Sequence, residues 1–119
     1  MGQLGDALQT AGHQLEARIR SHGGPMLRDG LGEVLPQSWR FVTDSEVAVL
    51  RIDREGQVSV RDDVAEPPDV IVQWSQQELV AALLAGRSNE EPRPNPPVIR
   101  FATGRGRKAF SLVGTSLGL

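Results

Sequence analysis

Residues 67–86 read Pro67-Pro68-Asp69-Val70-Ile71-Val72-Gln73-Trp74-Ser75-Gln76-Gln77-Glu78-Leu79-Val80-Ala81-Ala82-Leu83-Leu84-Ala85-Gly86. Pro67 and Pro68 bring the chain in extended, because a proline biases its predecessor away from the helical region. Val70, Val72 and Trp74 then alternate with Ile71 and Gln73, the period of a strand with one apolar face. Ser75 and Glu78 have the Ser-x-x-Glu spacing of a capping box, in which each side chain satisfies a backbone N–H of the other. Leu79, Val80, Leu83 and Leu84 share one helical face, and Gly86 suits a left-handed stop. A strand that runs without a linker into so apolar a helix requires a cover for that face, either a sheet or a bound molecule.

Upstream, Trp39 and Phe41 share one face of a first strand, and Thr43-Asp44-Ser45 turns the chain into a second strand over 47–52. Arg54-Glu55-Gly56-Gln57 reads as a tight turn with a positive φ at Gly56, and 58–61 is the third strand. Strands joined by such short turns should pair antiparallel. Leu4, Leu8, Ala11, Leu15 and Ile19 recur at helical spacing, which predicts an amphipathic helix within 1–22 with Asp6, Gln9, Gln14, Glu16 and Arg20 turned to water. Gly23-Gly24 ends it. Pro25 opens a weaker second helix carrying Met26, Leu27, Leu31, Val34 and Leu35, in which Gly30 and Gly32 each cost roughly 1 kcal/mol relative to alanine.

Downstream, 87–97 is a polar, proline-rich loop. Residues 98–103 and 109–113 are strand-like, linked by a glycine-rich hairpin at Gly104-Arg105-Gly106-Arg107-Lys108, and no terminal helix is expected. The order of elements predicts one α+β domain over 1–119, a mainly antiparallel five-stranded sheet with helices packed on one face.

Composition narrows the function. With 39% hydrophobic and 24% charged residues and a net charge of −2, the balance is that of an ordinary soluble domain, without the excess of cations that nucleic acid demands. There is no cysteine, which excludes disulfides and thiol chemistry. The longest apolar run, 79–85, is far short of the ~20 residues of a spanning helix. The start, Met-Gly-Gln-Leu-Gly-Asp, lacks the basic beginning and apolar core of a signal peptide, so the expected location is cytoplasmic, with no stable membrane insertion.

Several motifs carry little chemistry. Gly104-x-Gly106-x-x-Ala109 formally matches a dinucleotide fingerprint, but only ten residues follow Ala109 and no helical pattern is evident, whereas the βαβ unit needs ~30. His13 and His22 have no carboxylate at metal-ligand spacing. Asp62-Asp63 and Glu90-Glu91 are adjacent acids in turns, where solvated carboxylates are normal. There is no Gly-x-Ser-x-Gly elbow and no tyrosine, so no catalytic constellation, metal or cofactor is expected. Pro94-x-x-Pro97 reads as a stiff spacer. Arg105, Arg107 and Lys108, with Arg100 nearby, are either a solvated turn or a patch for phosphate, a lipid headgroup or nucleic acid. All five aromatics (Trp39, Phe41, Trp74, Phe101, Phe110) fall on predicted strands; they form either a sheet-borne core or the wall of a wide cavity.

Pro68-Asp69-Val70-Ile71-Val72, Ser75, Glu78-Leu79-Val80, Leu83-Leu84 and Gly86 together resemble the central signature of the sterol carrier protein 2 family. Asn95-Pro96, Gly104 and Val113-Gly114 look like that family's later Asn-Pro and Gly motifs, and the resemblance covers about 15–119. It implies a five-stranded sheet backed by helices around an apolar tunnel for fatty acyl chains, sterols or other lipids. Relative to that pattern, the proline-rich loop replaces part of a central helix region and the closing terminal helix is missing. The expected function is non-catalytic binding or carriage of a hydrophobic ligand. Leu79, Leu83 and Leu84 would form the helical wall, Trp74, Phe101, Phe110 and Leu112 would lie opposite, and Leu31 and Leu35 would stand near the mouth. The competing expectation is a ligand-free accessory module that forms a homodimer or docks on an enzyme through its apolar helix face or an edge strand.

Overall fold

Alternation along the strands sorts their side chains onto two faces, and among the described residues helices cover only one of these. The structure, a computed structural model, describes residues 2–21, 33–61, 67–85, 96–114, 117 and 119, with side chains throughout except at 18–21. The elements are α1 (Gln3–Ser21), β1 (Gln37–Val42), β2 (Val47–Ile52), β3 (Val58–Arg61), β4 (Val70–Gln73), α2 (Gln76–Ala85), β5 (Val98–Phe101) and α3 (Gly104–Val113). Leu31, most of the expected second helix, residues 87–95 of the proline-rich loop, His22 and both acidic pairs lie outside the described residues.

The strands form one sheet in the order β3-β2-β1-β4-β5. The expectation of a mainly antiparallel sheet is corrected here: the sheet is mixed, because β1 and β4 pair in parallel at its centre. The hairpins β1–β2 and β2–β3 pair as their short turns dictate, with Gly56 at φ 83° between the latter two. β4 is reached by a longer connection than the hairpin turns, lies on the far side of β1 and runs in β1's direction, a pairing that a two-residue hairpin turn would not allow. β5 closes that edge antiparallel to β4.

A second correction concerns the C-terminal part. Residues 109–113, expected as a strand beyond a hairpin, belong to the helix α3, and the predicted absence of a terminal helix does not hold. Thr103 is its N-cap, extended at φ −135° and ψ 158°, and its side chain accepts from the Gly106 N–H. Gly106, Ala109 and Val113 are the buried positions, a helical spacing that the intervening Phe110 and Leu112 disguise as alternation. Phe110 is therefore a helical aromatic, and Trp74 lies one residue beyond β4. The glycine fingerprint does open a helix after a strand, but Gly106 is explained by contact: a Cβ there would sit 2.3 Å from the Asp69 carbonyl oxygen.

The core lies between the sheet and the helices. Trp39, Phe41, Ala48, Leu50, Ile52, Val70 and Val72 point from the sheet, and Leu4, Leu8, Ala11 and Leu15 from α1 meet them with Leu79 and Leu83 of α2 and Ala109 and Val113 of α3. α1 lies on β2 and β3 and against α2, while α3 lies on β4 and β5. The turn between β1 and β2 ties down α1 and α2. Asp44 Oδ1 accepts from the Gln76 N–H at 2.9 Å and Glu46 Oε1 from the Leu4 N–H at 3.1 Å, so each helix start gains an acceptor for an otherwise orphan donor. The capping box of α2 is one-sided. Ser75 Oγ accepts from the Glu78 N–H at 3.3 Å, but Glu78 Oε2 is buried without a hydrogen-bond partner.

Candidate functional site

Two helical wings stand on the covered face, α1 with α2 on one side and α3 on the other, and β1 runs beneath the seam between them. The seam is anchored by buried polar groups at the starts of β1 and β4. Gln37, 1% exposed, donates from Nε2 to the Val34 carbonyl at 2.7 Å, and its Oε1 accepts from the Trp39 indole N–H at 3.0 Å. The Trp39 ring thus sits fully buried with its polar edge satisfied.

Asp69 anchors the α3 wing. Its Oδ2 accepts from the Ser38 N–H at 3.0 Å, and its Oδ1 from the Thr103 hydroxyl at 2.9 Å. Thr103 Oγ1 in turn accepts from the Gly106 N–H at 2.9 Å, so a carboxylate at the start of β4 reaches the first turn of α3 through one hydroxyl. Asp69's backbone completes the lock: its N–H donates to the Ser38 carbonyl at 2.7 Å and its carbonyl accepts from Ala102 at 2.9 Å. Arg105 stands 4.0 Å from Oδ1 with its side chain half exposed, a weak addition in water. The Pro-Asp-Val signature is therefore a structural joint among β1, β4 and α3.

On this frame the aromatic side chains converge. The Phe110 ring lies 5.7 Å from Trp39 and 5.5 Å from Phe101, the latter edge to face, both within the range of favourable ring pairs. The Arg107 guanidinium lies 5.0 Å above the Phe101 ring. Lys108, exposed on the same helix, hydrogen-bonds Glu33 and holds its carboxyl below the usual carboxylate range, chiefly through that bond and then through its charge.

The expected wall residues divide. Leu79 and Leu83 are fully buried in the core, and Trp74, Phe101, Phe110, Leu112 and Leu35 pack against it while remaining partly exposed. Leu84 does not join them. It is 54% exposed and lines an open groove of about 500 Å³ with Gln3, Asp44, Ser75 and Val80. At 100° per residue the four apolar positions of α2 span about 140°, and Leu84 falls at the outer edge of that arc. Leu31 lies outside the described residues.

Sequence reasoning missed Gln37 and Asp69 as the groups that hold Trp39 and α3. A proline-flanked aspartate entering an apolar strand was the available signal for the second. The basic group is divided as well: Arg105, Arg107 and Lys108 ride on α3, whereas Arg100 points to the uncovered sheet face.

Among known proteins, no family profile matches the sequence, and no curated protein matches it either. Solved structures do match. A UbiJ-SCP2 ubiquinone synthesis protein aligns over 92% of this chain and 94% of its own, with TM-score 0.57 and 15% identity. The stereoselective inverting sec-alkylsulfatase Pisa1 from Pseudomonas sp. aligns over 77% of this chain and 14% of its own, with TM-score 0.46 and 14% identity. The fold is thus that of a sterol carrier protein 2 domain. No helix among the described residues is long and apolar enough to cross a membrane.

Proposed function

We propose that this domain binds a hydrophobic ligand, a fatty acyl chain, a sterol-like molecule or another lipid, between its sheet and its helices, without covalent chemistry and in the cytoplasm. The observation that carries this reading is the group of large apolar side chains left half-buried against the core. Phe101, Phe110, Leu112, Trp74 and Leu35 pack on a core whose central residues are sealed, yet each keeps surface in water. The likeness to a sterol carrier protein 2 domain over nearly the whole of both chains supports it.

Such a site works by burial. Each methylene withdrawn from water contributes ~0.8 kcal/mol, so a long chain binds well even after it loses its freedom. The protein's part is to hold two helical wings at a fixed distance across β1: Asp44 and Glu46 tie α2 and α1 to the β1–β2 turn, and Asp69 ties α3 to β1 and β4 through Thr103.

The test is native mass spectrometry of gently purified protein, followed by displacement of a fluorescent fatty acid. The expected result is a co-purifying lipid mass and saturable probe binding that Phe110→Ala weakens. A chain that carries no lipid and binds no probe refutes the reading and favours a ligand-free accessory module.

A further inference from the structure

The uncovered face of the sheet is not a solvated face of mixed charge. Arg61 of β3 is in register with Val49, Val49 with Arg40, Arg40 with Ile71, and Ile71 with Arg100 of β5. One row across all five strands therefore reads Arg-Val-Arg-Ile-Arg. With neighbouring strands about 4.8 Å apart, the arginines recur about every 9.6 Å over a width of about 19 Å. Arg51 lies in the next row beside Ser38 and Ser59. On the other side a third row reads Val47-Val42-Gln73-Val98, with Val47 and Val98 41% and 50% exposed at its ends.

No strand position on this face is acidic, although the chain as a whole carries a net charge of −2. Among the described residues, three acids near its border already serve backbone donors: Asp53 accepts from the Glu55 and Gln57 N–H groups, Asp44 caps α2 and Asp69 makes the joint described above. The Arg40 Nε is buried with no hydrogen-bond partner.

We propose that this face docks the protein, sheet down, on an anionic lipid surface. Charge complementarity names the occupant, and shape narrows it. The strand positions of this face carry no aromatic ring for a nucleobase to stack on or to centre a protein interface, and the open groove that Ser38 and Arg51 line lies at its margin, outside the arginine row. Evenly spread arginines separated by short aliphatic side chains suit a layer of mobile headgroups, where each cation acts nearly independently. A second copy of the chain is disfavoured, since it would bring arginines against arginines. Docking by this face leaves the helical wings and their seam turned toward water. The proposal does not depend on whether the seam holds a ligand.

The test is sedimentation of the full chain with phosphatidylcholine vesicles, with and without phosphatidylserine. Binding is expected only to the anionic vesicles and falls as salt rises. Arg61→Gln and Arg100→Gln, both at exposed positions on edge strands, should each lower the partition coefficient about fivefold, the equivalent of ~1 kcal/mol per cation, and together about 25-fold. Lys108→Gln, on α3, should leave it unchanged. The double variant should keep the wild-type circular dichroism spectrum; if it does not, the single variants decide. Three results overturn the proposal: no binding to anionic vesicles, binding indifferent to Arg61 and Arg100, or tighter binding of a single-stranded oligonucleotide or polyglutamate than of the vesicles. The last would assign the face to nucleic acid or to an acidic protein.

Discussion

Trp39, Phe41, Leu50 and Val72 alternate along their strands with Arg40, Val42, Arg51 and Ile71, so the two faces of the sheet are one residue apart in sequence and opposite in character. On the three inner strands the covered face is filled by aromatic and aliphatic side chains that are almost wholly buried, while Val58, Val60, Ile99 and Phe101 on the edge strands are half-buried against them. The uncovered face carries arginines over short aliphatics, none of them in the core cluster. The contrast teaches that strand alternation here does two jobs. One register supplies the cohesion that holds the helices, and the other supplies a charged plane with little structural duty. Substitutions should therefore separate into two classes, large losses of stability on one face and small ones on the other.

The sharpest break would come from Phe41, fully buried on the central strand. Phe41→Ala should cost about 3–5 kcal/mol, since lost transfer energy and the cavity add. Chemical denaturation should show a lower midpoint at unchanged slope. A cost below ~1 kcal/mol would mean that the covered face is not packed as described.

Asp69 comes next, because it joins the faces. Asp69→Ala strands the Ser38 N–H at a buried position and takes away the acceptor that orients the Thr103 hydroxyl. The expected loss is about 2–3 kcal/mol, since a stranded buried donor costs more than a hydrogen bond gains. Asp69→Asn keeps one acceptor oxygen and should lose less. Thr103→Ala removes the cap of α3 and the hydroxyl's bond to Asp69 but leaves the Ser38 N–H paired, and should cost about 1 kcal/mol, with helix loss visible in hydrogen exchange of the 104–113 amides. Were Thr103→Ala as damaging as Asp69→Ala, the carboxylate would be acting through the hydroxyl alone.

The same contrast explains what the sequence could reveal. β4 and α2 were legible because their signals are local: two prolines, strict alternation, a serine cap and leucines at helical spacing. The three leading strands were legible for the same reason, with Gly56 marking one turn. The neighbour of β4 was not, because the partner of a strand across a longer connection is settled by where α1 and α3 cover the sheet. Nor was α3, whose ten residues satisfy both periods until Gly106 is seen against the Asp69 carbonyl. In the candidate site, Leu79 and Leu83 were identifiable from spacing, whereas Leu84 needed the edge of the helix's buried arc. The arginine row was invisible in the chain, since its members come from strands far apart in sequence and meet only through register.

The smallest expected effect tests the uncovered face as structure. Arg61 and Arg100 are exposed on the two edge strands, so the double change to glutamine should alter stability by no more than about 0.5 kcal/mol, or about 2 °C in Tm. The counter-argument is that arginine stems lie over aliphatic neighbours and shield them. Val49 and Ile71, half-buried between the arginines in the same row, are the residues so shielded. If shielding dominates, Arg→Gln should cost more than 1 kcal/mol and Arg→Met, which keeps an apolar stem without the charge, should restore it. If charge is what the row is kept for, glutamine and methionine should be equally harmless to Tm, and a double-mutant cycle between Arg40 and Arg61 should show repulsion relieved as either is removed. Measured in low salt, that coupling has the sign that separates a plane of cations awaiting an anionic surface from a second, thinner core.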